Sequence, residues 1–434
     1  MLTALGATEV MDLFADLPQA VRLGRDLELP LGMPELELDR HVRSLADQNR
    51  HLGQLPSFLG AGAYDRFIPA AVGEILRRAE FYTSYTPYQP EVSQGTLQAI
   101  WEFQSLVATL YDMDVAQASL YDGATAAAEA VMVAVAETGR QGVVVARSVD
   151  PQVRAVIRTY AQGRPLSIQE LALDQDRCDL QELDRLLTDQ VAVLVIQQPS
   201  FLGAIEPAAD MVQAAHRVGA LAVVIADPVA HAWLKPPGAY SADLAVGEGQ
   251  GLGVAPSFGG PYVGLMAARQ DLVRRLPGRI VGATVDVDGK PGFVLTLQTR
   301  EQHIRRQRAT SNICTNQGLI ALAATVYMSL MGPEGLRQVA LLSHEGAEDL
   351  RHRLLALPGV QAVGSAPTFY EFAVNLPKPA AEVNRKLLAA GFIGGYPLVD
   401  DYPELGPGGW LLAVTEKRSE QEIAGFAKAV AQAL

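Results

Sequence analysis

Three places in this sequence pair chemistry-bearing side chains with a local pattern able to hold them against a ligand. Asp227 closes the apolar run ALAVVIAD, Gly123-Ala124-Thr125 opens an alanine-rich stretch, and the loop GEGQGLG (residues 247–253) follows DLAV. A carboxylate at the end of a central strand suits a buried cation. Glycine and threonine at a helix start suit a phosphate, through free amides, the helix dipole and a hydroxyl. Beyond the next strand, a loop rich in glycine brings backbone close to a ligand, and a nucleophilic amine is expected near position 250. Gln250 stands there, and an amide nitrogen forms no imine. Each feature also has a plain structural reading, with Thr125 capping a glycine turn and Asp227 starting the turn before Pro228.

The surrounding pattern supplies the elements that must position these residues. Runs such as GVVVA, VAVLVI and ALAVVIAD alternate with helical stretches ATAAAEAVMVAVAE, PQVRAVIRTYA and AADMVQAAHRV, which predicts an α/β fold with a mostly parallel sheet covered on both faces. Ligands of such sheets bind beyond the carboxyl ends of the strands, where all three features fall. Residues 1–60 read as an arm of short helices between prolines, of the kind that often serves a subunit contact. A helix is expected from about Asn312 to Met331, then a break at Gly332-Pro333. Residues 332–434 read as a small C-terminal α+β domain, its last helix opened by the capping box Ser419/Glu422. The expected division is 1–60, 61–331 and 332–434.

Composition narrows the function classes. The 434 residues carry a net charge of −13, so the chain has no excess of cations to displace counterions from a nucleic acid. Two cysteines and seven scattered histidines give no disulfide framework and no spacing suited to a metal. No basic and apolar leader opens the sequence, and its apolar runs are short for a membrane span, so a cytoplasmic protein is expected. No GxxxxGK[ST], GxGxxG or GxSxG motif occurs, which removes support for NTP hydrolysis, dinucleotide binding and serine hydrolysis.

Two further segments stand out. FYTSYTPYQPEVSQG (81–95) sets aromatic rings among Thr86, Gln89 and Glu91 between Pro87 and Pro90, a loop able to present hydrogen-bonding groups to a small polar substrate or to pack on its own rings. TREQHIRRQRATSN (299–312) concentrates Arg300, Arg305, Arg306 and Arg308 before Thr310-Ser311-Asn312. If those three residues start a helix, an anion site there follows, although most of the arginines read as a solvated face.

A phosphate on an early helix, a ring nitrogen on a strand-end aspartate and an amine on the following loop together outline a pyridoxal phosphate site, in which the aspartate keeps the ring able to accept electrons. Lys235, the first of only six lysines, lies too early, beside two prolines on a loop. The stretches YTPYQPEVSQGTLQAIWEFQ, LYDGATAAAEA, VGEGQGLGVAPSFGGPYVGL and REQHIRRQRATSNICTNQ are long and unusual, and through them nearly the whole chain resembles the P-protein family of the glycine cleavage system, specifically the alpha (subunit 1) half of two-subunit glycine decarboxylases. The resemblance implies the fold-type-I (aspartate aminotransferase-like) architecture of pyridoxal phosphate enzymes and pairing with a beta subunit as an α2β2 heterotetramer. It implies a cofactor bound covalently by beta and not by this chain, and decarboxylation of glycine with transfer of the aminomethyl group to the lipoyl arm of the H-protein. On this reading Gly123, Ala124, Thr125, Asp227 and Gln250 are a vestigial pocket. Thr86, Tyr88, Gln89 and Glu91 are expected to reach the glycine and lipoyl pocket of beta, and Thr310, Ser311 and Asn312 its cofactor phosphate. A self-sufficient enzyme using Lys235 and a purely structural partner of beta remain as alternatives.

Overall fold

Val191–Gln198 and Leu221–Ala226 are uncharged runs dominated by β-branched and small apolar residues, which can be buried on both faces only inside a sheet covered by helices. The computed structural model, which describes residues 1–434 except Phe258 and Thr310, places both at the centre of a seven-stranded sheet. In chain order the strands are β1 (Val115–Ala116), β2 (Gly142–Ala146), β3 (Ser167–Leu171), β4 (Val191–Gln198), β5 (Leu221–Ala226), β6 (Leu244–Glu248) and β7 (Gly264–Ala268). Their spatial order is β1-β7-β6-β5-β4-β2-β3. Neighbours from β3 to β6 pair in parallel, whereas β7 runs antiparallel to both β6 and β1. Crossover helices α1 (Gly123–Thr138), α2 (Pro151–Ala161) and α3 (Ala208–Arg217) let successive parallel strands point the same way, so Gln197, Asp227 and Glu248 meet at one edge.

Of the local expectations near the end of the main sheet, one, the start of a helix, is corrected. FVLTLQ, which reads as a strand, forms β9 (Pro291–Thr296) and folds back on β8 (Ile280–Val285) as an antiparallel hairpin outside the main sheet. The helix expected from Asn312 begins only at Gly318; α4 (Gly318–Leu355) consists of two helical stretches that meet at a kink at Gly332, where φ is 59° and ψ −179°. Gly332 takes that positive φ without steric cost because it has no Cβ, and its non-helical backbone makes the expected break just before Pro333. By length and composition α4 could cross a membrane, yet Ala321, Ala323, Ala324, Tyr327 and Met328 are buried in the main core.

By contact the chain divides into Met1–His51 and Leu52–Leu434. The first unit holds three 3-10 turns and a helix, Glu35–Ala46, and none of its residues is buried. The second unit begins before residue 61 because Phe58 stacks on Phe426 at 3.9 Å and its N–H donates to the Ile393 carbonyl. Within it a four-stranded sheet contains β10 (Gln361–Ala362), β11 (Glu371–Asn375), β12 (Tyr396–Pro397) and β13 (Gly409–Ala413), in the order β10-β11-β13-β12. Treating 61–331 and 332–434 as separate domains is a proposal that rests on this sheet and the Gly332 bend.

Candidate functional site

A cavity of about 530 Å³ opens at the carboxyl edge of β4, β5 and β6. Gly123, Ala124, Asp227 and Glu248 line it, together with Tyr64, Tyr370 and Glu371. Of the expected pocket residues, Thr125 and Gln250 stand just behind the wall.

At the start of α1, capping falls to Asp122 and not to Thr125. The Asp122 carboxylate accepts from the Thr125 N–H at 2.7 Å, and the Thr125 hydroxyl donates back to Asp122. The adjacent Gly123 N–H donates to Glu248 Oε2 at 2.9 Å, while Glu248 Oε1 accepts from the N–H groups of Gln250 (3.0 Å) and Val263 (3.2 Å). Glu248 therefore places an anion where the helix dipole and three converging amides favour one. Position 123 must be glycine, since a Cβ there would lie 2.8 Å from the Glu248 nitrogen. Burial pushes the Glu248 carboxyl up to about 7, against the lowering effect of its amide donors.

Asp227 has both carboxylate oxygens engaged. Oδ1 accepts from the Ala230 N–H at 2.6 Å, the turn role open to an aspartate before proline, and Oδ2 accepts from the Tyr370 hydroxyl. Arg66 lies 4.6 Å from the Tyr370 ring centroid and pairs with Glu416 at 2.8 Å. Glu371 accepts from the Ala61 N–H and the Tyr64 hydroxyl, and its burial, with Asp227 and Asp150 nearby, raises its carboxyl to about 8.

Gln250 is fully buried. Its Oε1 accepts from the Tyr64 N–H at 2.8 Å, and its Nε2 donates to the carbonyls of Tyr64 (3.0 Å) and Val254 (2.6 Å). A carboxamide has one acceptor and two donors to spend in this way; a lysine has donors only.

The other expected site residues lie elsewhere. Tyr88, Gln89 and Glu91 are exposed, Thr86 is half-buried, and none lines the cavity. Thr310 lies outside the described residues. Ser311 and Asn312 do not open a helix: α4 starts at Gly318, and Ser311 accepts from the Ile313 N–H, so the argument from free helical amides lapses there. Lys235 is exposed and away from the cavity. Sequence reasoning missed Tyr64, Tyr370 and Glu371, which reach the site from remote segments without a local motif. Glu248 carried a usable signal, an acid ending a strand opposite a glycine-opened helix.

Because Glu371 binds a proton in the fold that the unfolded chain releases above its ordinary 4.5, stability falls as pH rises from about 4.5 to 8 and levels beyond, where both states are ionised. Glu371→Gln keeps an acceptor for Ala61 and removes the titration. Its urea midpoint is expected to drop less than that of the wild type between about pH 5.5 and about pH 8.5, in buffers of matched ionic strength. Parallel curves for the two proteins would contradict this assignment.

The strand order and the carboxyl-edge cavity define the class: the chain has the fold of type I pyridoxal phosphate-dependent enzymes, shared at the level of fold alone with a glutamate decarboxylase of Lactobacillus brevis (13% identity, TM-score 0.70, covering 96% of this chain and 95% of that one). More closely, it belongs to the glycine cleavage system P-protein family, whose model matches residues 1–430. A probable glycine dehydrogenase (decarboxylating) subunit 1 from Moorella thermoacetica is 53% identical over 423 residues, spanning 98% of this chain and 94% of the relative. The counterpart from Chloroherpeton thalassium is 48% identical over 430 residues, spanning 99% and 96%. A crystal structure of glycine decarboxylase (P-protein) of the glycine cleavage system in inhibitor-bound form is 45% identical, with a TM-score of 0.92, and covers 100% of this chain and 97% of that one.

The fold implies pyridoxal phosphate, but the residues of this cavity do not fit it as a covalently held group. The anion cup is filled by Glu248, the strand-end Asp227 is engaged by Tyr370 and Ala230, and an amide occupies position 250.

Proposed function

We propose that this chain is the alpha subunit of glycine dehydrogenase (decarboxylating), acting in glycine cleavage only together with a beta subunit. The observation that carries the reading is the self-occupied cavity: with Glu248 in the anion cup and Gln250 clamped to Tyr64, the chain has the family's fold without a usable aldehyde site. Pyridoxal phosphate, when bound by the beta subunit, supplies the electron sink for loss of the glycine carboxylate.

The work of this chain is then to complete and shape that neighbouring site. Thr86, Tyr88, Gln89 and Glu91 orient glycine and the lipoyl arm, and Ser311 and Asn312 face the cofactor phosphate. The exposed rings of Tyr82, Tyr85 and Tyr88 support this reading, since they leave an aromatic loop available for a partner. An α2β2 assembly, the lipoylated H-protein as acceptor and a cytoplasmic setting complete the proposal. A non-catalytic, purely structural alpha chain would leave the polar groups of this loop without a use.

Glycine-dependent exchange of labelled CO2, measured on each purified chain and on their mixture with H-protein, is the direct test. Activity is expected only in the mixture. Exchange by this chain alone, with vitamin B6 attached to Lys235 after borohydride reduction, would overturn the reading.

A further inference from the structure

Three arginines are buried among the described residues: Arg66, Arg154 and Arg279. Arg66 pairs with Glu416 and Arg154 with Glu170, at 2.8 and 3.0 Å. Arg279, 4% exposed, has no carboxylate within ion-pair distance among the described residues, in a chain whose net charge is −13. A buried cation without a counter-ion is costly and persists only where something else over-determines its position.

The neighbourhood of Arg279 shows how it is held. Its carbonyl accepts from the Ala118 N–H at 2.9 Å, which ties it to the segment leading into α1, and its guanidinium lies 5.6 Å from the ring centroid of Tyr88. That ring is itself 62% exposed. The edge of a guanidinium, which bears its five N–H donors in a planar fork, matches the oxygens of a carboxylate or a phosphate. Two buried donors on the segments that adjoin it lack partners: Thr86 Oγ1, two residues from Tyr88 in the chain, and Gln117 Nε2, next to Ala118. Gln117 is completely buried, and its amide oxygen is occupied by the Ser119 N–H at 2.6 Å, so only the amide nitrogen is left to bond outward. Donors alone are in excess here, and the missing component is an acceptor with negative charge.

We infer that Arg279, beside the Tyr88 ring and with the unpartnered donors of Thr86 and Gln117 on the segments adjoining it, is an oxyanion-binding residue that this chain lends to the shared active site, and that its ligand is a carboxylate or phosphate group from outside the chain. The inference rests on the reading that the alpha chain completes a beta site. Under that reading two sources have the right chemistry, the carboxylate of glycine and the phosphate of the cofactor.

The test uses the assembled alpha–beta enzyme carrying Arg279→Gln or Arg279→Lys. Binding of glycine and of glycinamide, which lacks the carboxylate, is followed by the change in cofactor absorbance, and cofactor retention is measured by dialysis. If the ligand is the glycine carboxylate, R279Q weakens glycine about 10–100-fold and leaves glycinamide and retention unchanged. If it is the phosphate, R279Q accelerates cofactor loss, and the two amines are affected alike. R279K, which keeps the charge and loses the planar fork, recovers part of either effect, and it carries the comparison should R279Q fail to assemble. Unchanged binding and retention in both variants, or equal weakening of glycine and glycinamide with retention intact, overturns the inference. A beta subunit that turns over glycine alone defeats the underlying reading instead, a result visible in the wild-type controls before any variant is compared.

Discussion

Replacing Gln250 with leucine is expected to lower the stability of this chain by about 3–5 kcal/mol, among the larger effects of any single substitution. The side chain is fully buried and satisfies three backbone groups on two separate segments, the N–H and carbonyl of Tyr64 and the carbonyl of Val254. Leucine has similar bulk but leaves all three without partners, and an unsatisfied buried group costs about 1–3 kcal/mol before relaxation. Urea denaturation with a constant slope gives the difference directly. Gln250→Lys is expected to be damaging as well, because an ammonium offers no acceptor to the Tyr64 N–H and carries charge into full burial. With pyridoxal phosphate added, this lysine variant should stay free of the visible absorbance of an imine, since Glu248 still fills the anion cup. A loss below about 1 kcal/mol for leucine would show that the loop is held by other contacts.

This expectation turns on a contrast between what the sequence displays and what only the fold assembles. The alternation of helices with uncharged strands was legible because burial on both faces demands it, and the placing of Asp227, Gly123 and the 247–253 loop at one sheet edge followed from parallel connectivity. The absence of an amine at 250 could be read letter by letter. The β8–β9 hairpin was half legible: FVLTLQ reads as a strand, whereas its partner Ile280–Val285 is interrupted by Gly282 and shows no alternation. The start of α4 was placed six residues too early because Thr310-Ser311-Asn312 has the composition of a cap, while the structure ties Asn316 and Gln317 to Ser119 before the helix begins. Tyr64, Tyr370 and Glu371 come from segments about 300 residues apart in the chain and share no local pattern. Their convergence depends on how the start of β11 meets the loop after β4, where Ala204 bridges Thr368 and Gly203 lies against Glu371, a tertiary fact with no periodic trace.

The unpaired Arg279 shows the same limit from another side. A lone arginine after Gly278 has no motif, and most arginines in an acidic protein are solvated. It becomes informative only when burial is known and a search for its counter-ion fails among the described residues. Glu248 is the opposite case, an acid whose partners are all present within the chain. One site looks outward for an anion, and the other has made an external anion unnecessary.

Removing that internal anion should therefore recreate a binding site. Glu248→Ala is expected to cost about 2–4 kcal/mol, because the N–H groups of Gly123, Gln250 and Val263 lose their common acceptor in a buried setting. The same three amides, with the dipole of α1 behind Gly123, then form an empty cup suited to phosphate. Inorganic phosphate at about 100 times its dissociation constant would restore about 2.7 kcal/mol, whereas chloride at equal ionic strength would not. The wild type should show no such difference, since its own carboxylate competes from a fixed position at no translational cost. Glu248→Gln serves as the control that retains one acceptor oxygen and should respond less than alanine. If phosphate shifts the urea midpoint of wild type and E248A equally, the carboxylate is not filling an anion site, and the reason this chain fails to hold a phosphorylated aldehyde must lie with Tyr370 and Gln250 instead.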